Sequence, residues 1–150
     1  MKIIVLATGG FDPIHDGHIH YLEASKNLGD KLYVGLNSDK WLERKKGKAF
    51  MPFDVRKKVI ENLKMVDKVI SFNDNEEDAC DAIYQLIKKY DRITFANGGD
   101  RTQKNSPEYK VYSRMPWVRF EFGVGGTKIN SSSNLLKKYE KNEKNYLHFI

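Results

Sequence analysis

The sequence has a single cysteine and no long hydrophobic run, and both absences limit what the chain can be. Cys80 has no partner for an internal disulfide and lies in a segment with helical spacing, so we expect a partly buried structural side chain without redox chemistry. The apolar run at residues 3–6 is too short for a secretory signal or a membrane span, and no later run is long enough. These absences predict a cytoplasmic chain without a membrane segment.

Internal repeats, low-complexity linkers and signs of a second domain are also lacking. The 150 residues include 40% hydrophobic and 12% aromatic residues, which is enough to form the core of one domain. We expect that domain to span residues 1–140. The charged tail at 141–150 is expected to pack on the body or on a partner subunit.

The net charge of +6 is concentrated in one segment of the chain. Residues 40–58 contain eight lysines and arginines but only two acidic residues, so their charge excess equals that of the whole chain. Such a segment attracts nucleic acid or a small polyphosphate, and a solvated charged loop is the simpler interpretation.

Alternating apolar segments predict a fold of the α/β class. Residues 3–6 are apolar without alternation, as in a parallel strand that is buried on both faces. Val55, Val59 and Leu63 recur at four-residue spacing, which predicts that they share the buried face of a helix. Further strands are expected at 32–36, 69–72, 93–96 and 117–122, the last at a sheet edge. The pattern predicts a single doubly wound, Rossmann-like domain with a five-stranded, mainly parallel sheet flanked by helices, and such folds bind ligands beyond the carboxyl ends of the strands.

A candidate anion site follows the first predicted strand. Gly9 and Gly10 allow a phosphate chain to approach the backbone, and the helix that begins near Gly17 directs its free amides and its positive dipole end to the same place. His15 and His18 flank that glycine, so both imidazoles can reach a phosphate held over the start of the helix. Two histidines three residues apart also occur as surface pairs or metal ligands, and their position at the strand-to-helix turn is what favours phosphate binding.

The stretch from Gly9 to His18 resembles the signature of the cytidylyltransferase-like nucleotidyltransferases, in which a glycine-phenylalanine-aspartate turn leads into an HxGH motif. That motif here is residues 15–18, HDGH. Within the family, the chain is most similar to the bacterial glycerol-3-phosphate cytidylyltransferases and to the adenylyltransferase domain that makes ADP-heptose. The other elements that carry the resemblance are Asn37-Ser38-Asp39, Lys46 in a lysine-rich loop, Arg56, the loop Gly98-Gly99-Asp100 and the serines Ser131-Ser132-Ser133.

The resemblance implies transfer of a nucleoside monophosphate from CTP or ATP to a small phosphorylated alcohol or sugar phosphate, with release of pyrophosphate. The attacking phosphate oxygen is already an anion, so the protein mainly has to place positive charge around the triphosphate. Catalytic roles are expected for His15, His18 and Lys46, with Lys45 and Lys48 as alternatives to that lysine. Nucleotide contacts are expected from Gly9, Gly10, Phe11, Asp12, Gly17, Gly98, Asp100, Ser131 and Ser132. Acceptor contacts are expected from Asp39 and Arg56.

Several of these residues also have structural interpretations. Asp12 can brace its own turn, the serines can act as an ordinary helix cap, and Arg56 can be a plain surface residue. The sequence also departs from the glycerol-3-phosphate enzymes, which carry an arginine before the serine cluster, and Lys128 is the candidate replacement. Pro13 is shared with adenylyltransferases of the pantetheine-phosphate and nicotinate-mononucleotide types, which keeps ATP open as the donor.

Magnesium is expected as the cofactor, carried mainly by the triphosphate oxygens and water, with no protein ligand named. The resemblance implies a homodimer. Nucleic acid is not an expected partner, although a non-catalytic RNA-binding protein could stack bases on Trp41, Phe50 and Phe53. A nicotinamide-dinucleotide binder would share the fold, but the glycines do not have the required GxGxxG spacing.

Overall fold

The computed structural model describes residues 2–126 and 131–148, and it has the predicted α/β architecture. Five strands alternate with helices along the chain. The strands are β1 (Ile4–Gly9), β2 (Lys31–Leu36), β3 (Lys68–Ser71), β4 (Ile93–Ala96) and β5 (Val118–Glu121). The helices are α1 (Asp16–Lys26), α2 (Asp39–Lys46), α3 (Phe53–Glu61), α4 (Cys80–Ile87), α5 (Pro107–Tyr112) and α6 (Ser132–His148).

The sheet has the strand order β3-β2-β1-β4-β5, and every pairing is parallel. The chain builds outward from β1 to β3, then returns to add β4 and β5 on the other side of β1. Loops that follow β1 and β4 therefore leave the sheet on opposite faces, which opens a crevice at their carboxyl ends. The prediction of a doubly wound, Rossmann-like sheet is confirmed.

The central strand β1 explains why the first apolar run does not alternate. Its even-numbered residues Ile4 and Leu6 pack with the cluster under α4 and α5, and its odd-numbered residues Val5 and Ala7 pack with the cluster under α1 and α3. Both faces of the strand are therefore covered, and these four side chains are at most 1% exposed. The crevice at the carboxyl end of β1 is therefore supported by a fully packed strand.

The basic segment differs from the predicted loop because part of it is a helix. Ser38 caps α2 by accepting a hydrogen bond from the amide of Trp41 (3.1 Å), and Gly47 ends the helix with φ 90°. The lysines near its end are therefore held on a helix that is capped at its start and ended by a glycine.

The prediction of which face of α3 is buried is wrong. Val55 and Val59 are 45% and 37% exposed, whereas Arg56 and Ile60 are buried. The helix is rotated by about one residue from the predicted orientation because the side chain of Arg56 finds enough hydrogen-bond acceptors inside the protein to be buried.

The C-terminal helix α6 continues across residue 140, where we expected the domain to give way to a tail. How the side chains of the predicted tail pack lies outside the described residues. No helix in the described part of the chain combines the length and apolar character needed to cross a membrane.

Candidate active site

A cavity of about 560 Å³ lies at the carboxyl ends of β1 and β4. Its walls come from the loop after β1, the start of α1, the end of α2, the loop after β4, the start of α5 and the start of α6. The predicted site residues that line it are Gly9, Gly10, Phe11, His15, Gly17, His18, Lys46, Gly98, Asp100, Ser131 and Ser132. Three others, Asp12, Asp39 and Arg56, are not among its lining residues.

The two histidines of the motif form a reciprocal cap at the start of α1. Nδ1 of His15 accepts a hydrogen bond from the amide of Gly17 (3.1 Å), and Nδ1 of His18 accepts one from the amide of His15 (3.2 Å). The rings are stacked, with centroids 3.7 Å apart and planes 20° from parallel. Because both Nδ1 atoms accept a hydrogen bond, each neutral ring carries its proton on Nε2, which makes Nε2 a donor.

Phe11 supports the second histidine from the side. Its ring is only 4% exposed and meets the ring of His18 edge to face, with centroids 4.9 Å apart. The backbone at Phe11 has φ 50°, a conformation that L-residues with a side chain rarely adopt. Packing of the ring against the core holds this turn in place.

Asp12 holds the segment that follows α2 rather than facing the cavity. Its carboxylate accepts hydrogen bonds from the amides of Phe50 (2.6 Å) and Met51 (2.7 Å) and is 1% exposed. Its carbonyl oxygen accepts one from Nζ of Lys46 (2.9 Å). The turn after β1 and the basic segment are therefore connected through one residue.

The lysines near the end of α2 have different surroundings. Lys46 lines the cavity and donates to the turn after β1, whereas Lys45 lines the cavity with its Nζ 4.6 Å from the centre of the Trp41 ring. Lys48 is not among the lining residues.

Arg56 is the most buried charged residue near the site, with 0% exposure. Its guanidinium donates to the carbonyl oxygens of Met51 (2.8 Å), Gly10 (2.9 Å) and Asn37 (2.8 Å), and to the carboxylate of Asp39 (2.7 Å). These bonds join three backbone segments that surround the cavity.

The serines at the start of α6 have protein partners. Ser131 accepts a hydrogen bond from the amide of Asn134 (3.1 Å), as a cap does, and Ser132 donates to the carbonyl oxygen of Pro13 (2.7 Å). The second bond ties α6 to the loop that carries the histidines. Lys128, the candidate replacement for the family arginine, lies outside the described residues.

The loop after β4 packs tightly on α1. A methyl group added at Gly98 would lie 3.1 Å from the Tyr21 ring, so the ring or the loop would have to shift by a few tenths of an ångström to accommodate it. The hydroxyl of Tyr21 donates to the carbonyl oxygen of Ala96 (2.7 Å), and burial raises the pKa of this phenol above its usual range. The residue is therefore a neutral brace for the cavity wall.

Sequence reasoning missed a buried carboxylate that positions α2. Asp74, which is 3% exposed, accepts hydrogen bonds from the side-chain amide of Asn37 (3.1 Å) and from the amide (2.8 Å) and hydroxyl (2.8 Å) of Ser38. Since Ser38 is the N-cap of α2, Asp74 fixes the helix that carries the lysines. Its place after β3, at the same edge of the sheet as Asn37, is the only signal that the sequence offered.

A second missed carboxyl group, that of Glu108, lies in the cavity wall itself. Glu108 is 5% exposed, and its Oε2 has no hydrogen-bond partner among the described residues. Burial is the main reason that its pKa is raised, and the negative charge of Asp78 adds to the effect, while the charge of Arg101 and backbone hydrogen bonds at Glu108 and Ala79 oppose it.

Comparisons with known proteins point to one family. A sequence model described as cytidylyltransferase-like matches residues 6–140. The chain is 38% identical over 125 residues to a glycerol-3-phosphate cytidylyltransferase from Bacillus spizizenii, covering 83% of this chain and 92% of that protein. It is 32% identical over 146 residues to the bifunctional protein HldE of Aliarcobacter butzleri, covering 95% of this chain but 28% of that protein.

The fold also matches a solved structure of similar size. The lipopolysaccharide core biosynthesis protein from Thermoplasma volcanium superimposes with a TM-score of 0.64 and 30% identity, covering 87% of this chain and 100% of that one. With the family model spanning most of the sequence and the HxGH turn built at the mouth of the crevice, the chain belongs to the cytidylyltransferase-like family.

Proposed function

We propose that the chain transfers a cytidylyl group from CTP, or an adenylyl group from ATP, to the phosphate of a small phosphorylated alcohol or sugar. An acceptor phosphate oxygen attacks the α-phosphorus, and the bond from that phosphorus to the bridging oxygen breaks, so the electron pair leaves with pyrophosphate. The observation that carries this proposal is the stacked pair of His15 and His18 at the start of α1, in a cavity large enough for a nucleotide.

The histidines suit this reaction because their hydrogen bonds to the backbone set both the orientation and the tautomer of each ring. Nε2–H of each ring is then a preorganised donor for oxygens of the triphosphate, and we assign His18 to the α-phosphate. Such donors contribute most where negative charge grows during the reaction, and one is typically worth roughly 3–4 kcal/mol of barrier. The amides at the start of α1 add positive potential at the same place.

Lys46 is the proposed cation that moves onto the reacting phosphates. It lines the cavity and rests on the carbonyl oxygen of Asp12, a neutral acceptor that a triphosphate oxygen would outcompete. Lys45 is the second candidate, because it also lines the cavity. The backbone amides near Ser131 and Ser132 would hold the terminal phosphates, with the two hydroxyls serving the structure.

Three predicted contacts are reassigned in this proposal. Asp12 and Arg56 act as braces for the walls of the cavity, since their polar atoms are engaged by the backbone and both are almost fully buried. Asp39 acts with Arg56, because its carboxylate accepts a hydrogen bond from the guanidinium. Gly98 and Asp100 remain the proposed contacts for the base and ribose.

We also propose that Mg²⁺ enters with the triphosphate and that the chain forms a homodimer. The described residues contain no group of three or more His, Cys, Asp or Glu side chains that could hold a metal ion, whereas phosphate oxygens and water are the ligands that Mg²⁺ prefers. The ion would shield the negative charge of the triphosphate. Light scattering of the purified chain would test the homodimer.

A pyrophosphate-release screen of the four nucleoside triphosphates against polyol phosphates and sugar phosphates tests the function directly. Activity with CTP or ATP and one such acceptor is expected. Release with no pair, together with salt-sensitive RNA binding, would instead favour an RNA-binding protein.

Two variants separate the chemistry of the histidines from their capping role. Asparagine is a good N-cap and glutamine fits the third helical position of a capping box, so His15→Asn and His18→Gln keep the helix start while they remove the rings. We expect each to lower kcat by roughly 10²–10³-fold with an unchanged melting temperature. Near-normal turnover of His18→Gln would refute the role of that ring.

A further inference from the structure

Glu108 is the buried carboxyl group in the cavity wall that the proposed reaction does not use. It stands in α5, on the face of the sheet opposite α1, and shares the cavity with His15 and His18. A buried acceptor without a hydrogen-bond partner is unfavourable, and such groups persist in native proteins mainly where a ligand or water completes them. Among the described residues, Oε2 of Glu108 therefore lacks the partner that a ligand or a water molecule would supply.

The position of Glu108 favours the acceptor over the nucleotide. In-line displacement requires the acceptor and the leaving pyrophosphate on opposite sides of the α-phosphorus. The proposed phosphate contacts come from the starts of α1 and α6, and the proposed base contacts come from the loop that packs on Tyr21 of α1. Phe95, Arg101 and Glu108 form one part of the wall that these contacts do not use.

The chemistry of the wall favours hydroxyl groups as the ligand of Glu108. Lys45, Lys46 and Arg101 already supply positive charge to the cavity, so an additional cation on the acceptor would meet repulsion. Burial and Asp78 raise the pKa of Glu108, which favours the neutral carboxyl group. A neutral carboxyl group both donates and accepts hydrogen bonds, as hydroxyl groups do.

We propose that Glu108 is a specificity-determining residue of the acceptor site and that its carboxyl group hydrogen-bonds to hydroxyl groups of a polyol phosphate or sugar phosphate. This inference rests on the proposed function for the name of the second substrate, but the binding of hydroxylated phosphates tests it separately.

Binding and kinetics of Glu108→Ala and Glu108→Gln test the inference, with exposed Glu23→Gln of α1 as the matched control. The probes are glycerol 3-phosphate and glucose 1-phosphate, with propyl phosphate as an analogue without hydroxyl groups and phosphoethanolamine as one with an ammonium group. Saturation-transfer NMR measures binding in the presence of CTP or ATP analogues that cannot react. Pyrophosphate release measures KM for each substrate.

We expect Glu108→Ala to weaken binding of a hydroxylated phosphate, or raise its KM, by at least about ten-fold, because the buried hydrogen-bond partner is lost. Glu108→Gln keeps an acceptor oxygen and should lose less. Neither variant should change the affinity for propyl phosphate or the KM of the triphosphate by more than about two-fold, and Glu23→Gln should behave as the wild type.

Four results would overturn the inference. The first is an equal loss for all acceptors with a lower melting temperature, which indicates a structural role. The second is a raised KM for the triphosphate alone, and the third is a preference for phosphoethanolamine that Glu108→Gln abolishes. The fourth is no binding of either hydroxylated phosphate. If these phosphates bind through Glu108 but no triphosphate releases pyrophosphate, the inference holds and the transfer reaction is wrong.

Discussion

Replacement of Arg56 by methionine tests whether this buried guanidinium braces the site or binds a substrate. Methionine fills most of the volume of the arginine stem but has no donor, so the carbonyl oxygens of Gly10, Asn37 and Met51 lose their partner. Each orphaned buried acceptor costs about 1–3 kcal/mol. The bond to Asp39 adds little, because that carboxylate is 41% exposed and water can replace the guanidinium.

Three such acceptors give a loss of at least about 3 kcal/mol in the free energy of unfolding, and the roughly 3–5 kcal/mol known for breaking buried charge pairs gives an upper limit of about 5 kcal/mol. That is a large part of the roughly 5–15 kcal/mol that stabilises an ordinary domain. Urea unfolding followed by circular dichroism measures it, and Lys57→Met, at the neighbouring exposed position, should change stability by less than about 0.5 kcal/mol.

Arg56→Lys, measured for both stability and the KM of the acceptor, completes the same test. Lysine keeps the charge but cannot supply the forked donors, so a bracing role predicts a clear loss of stability here as well. A stability change below about 1 kcal/mol in Arg56→Met, together with a KM for the acceptor raised several-fold in Arg56→Lys, would refute the bracing role and return Arg56 to the acceptor site.

Three further predictions concern the walls of the cavity. Lys46→Ala should lower kcat by about 10²–10³-fold without loss of stability, whereas Lys48→Ala should stay near the wild type; the reverse order would move the catalytic role to Lys48. Gly98→Ala should weaken triphosphate binding in calorimetry, because the added methyl group would lie 3.1 Å from the Tyr21 ring. Gly47→Asn should leave this binding unchanged, because no atom lies within 4 Å of the new Cβ and asparagine tolerates a positive φ. The raised pKa of Glu108 means that the native state holds this proton more tightly than the unfolded chain, so its contribution to stability is present below the usual carboxyl pKa and is lost as the pH rises through the native value. Urea unfolding across that pH range should therefore show that the free energy of unfolding declines less in Glu108→Gln than in the wild type. Identical pH profiles of the two proteins would contradict the raised pKa.

Local sequence patterns predicted the architecture because they report on the immediate surroundings of each segment. The unbroken apolar run at 3–6 indicated a strand covered on both faces, and Val5 and Leu6 are indeed 0% exposed. The glycines and histidines that follow form a turn whose hydrogen bonds span only three residues, so the motif and its geometry can be recognised together.

Long-range contacts decided what the patterns could not. A helical-spacing argument assumes that apolar side chains face the core, and on α3 it chose Val55 and Val59 over Arg56. The arginine is buried because acceptors from Gly10 and Asn37, which are distant in sequence, converge on it only in the folded chain. No window of neighbouring residues contains that information.

The sequence by itself determined the order of the strands, the family motif and the turn after β1 that carries the two histidines, since each depends on residues that are close together along the chain. Tertiary structure alone decided which polar residues face the cavity and which brace it. Asp12 and Asp74 are engaged by distant backbone groups, whereas Glu108 is brought into the cavity wall with one oxygen unpaired among the described residues. The physical reason is that the pairing of a buried charge depends on which chain segments surround it in the folded protein. The sheet order β3-β2-β1-β4-β5 determines which segments become neighbours.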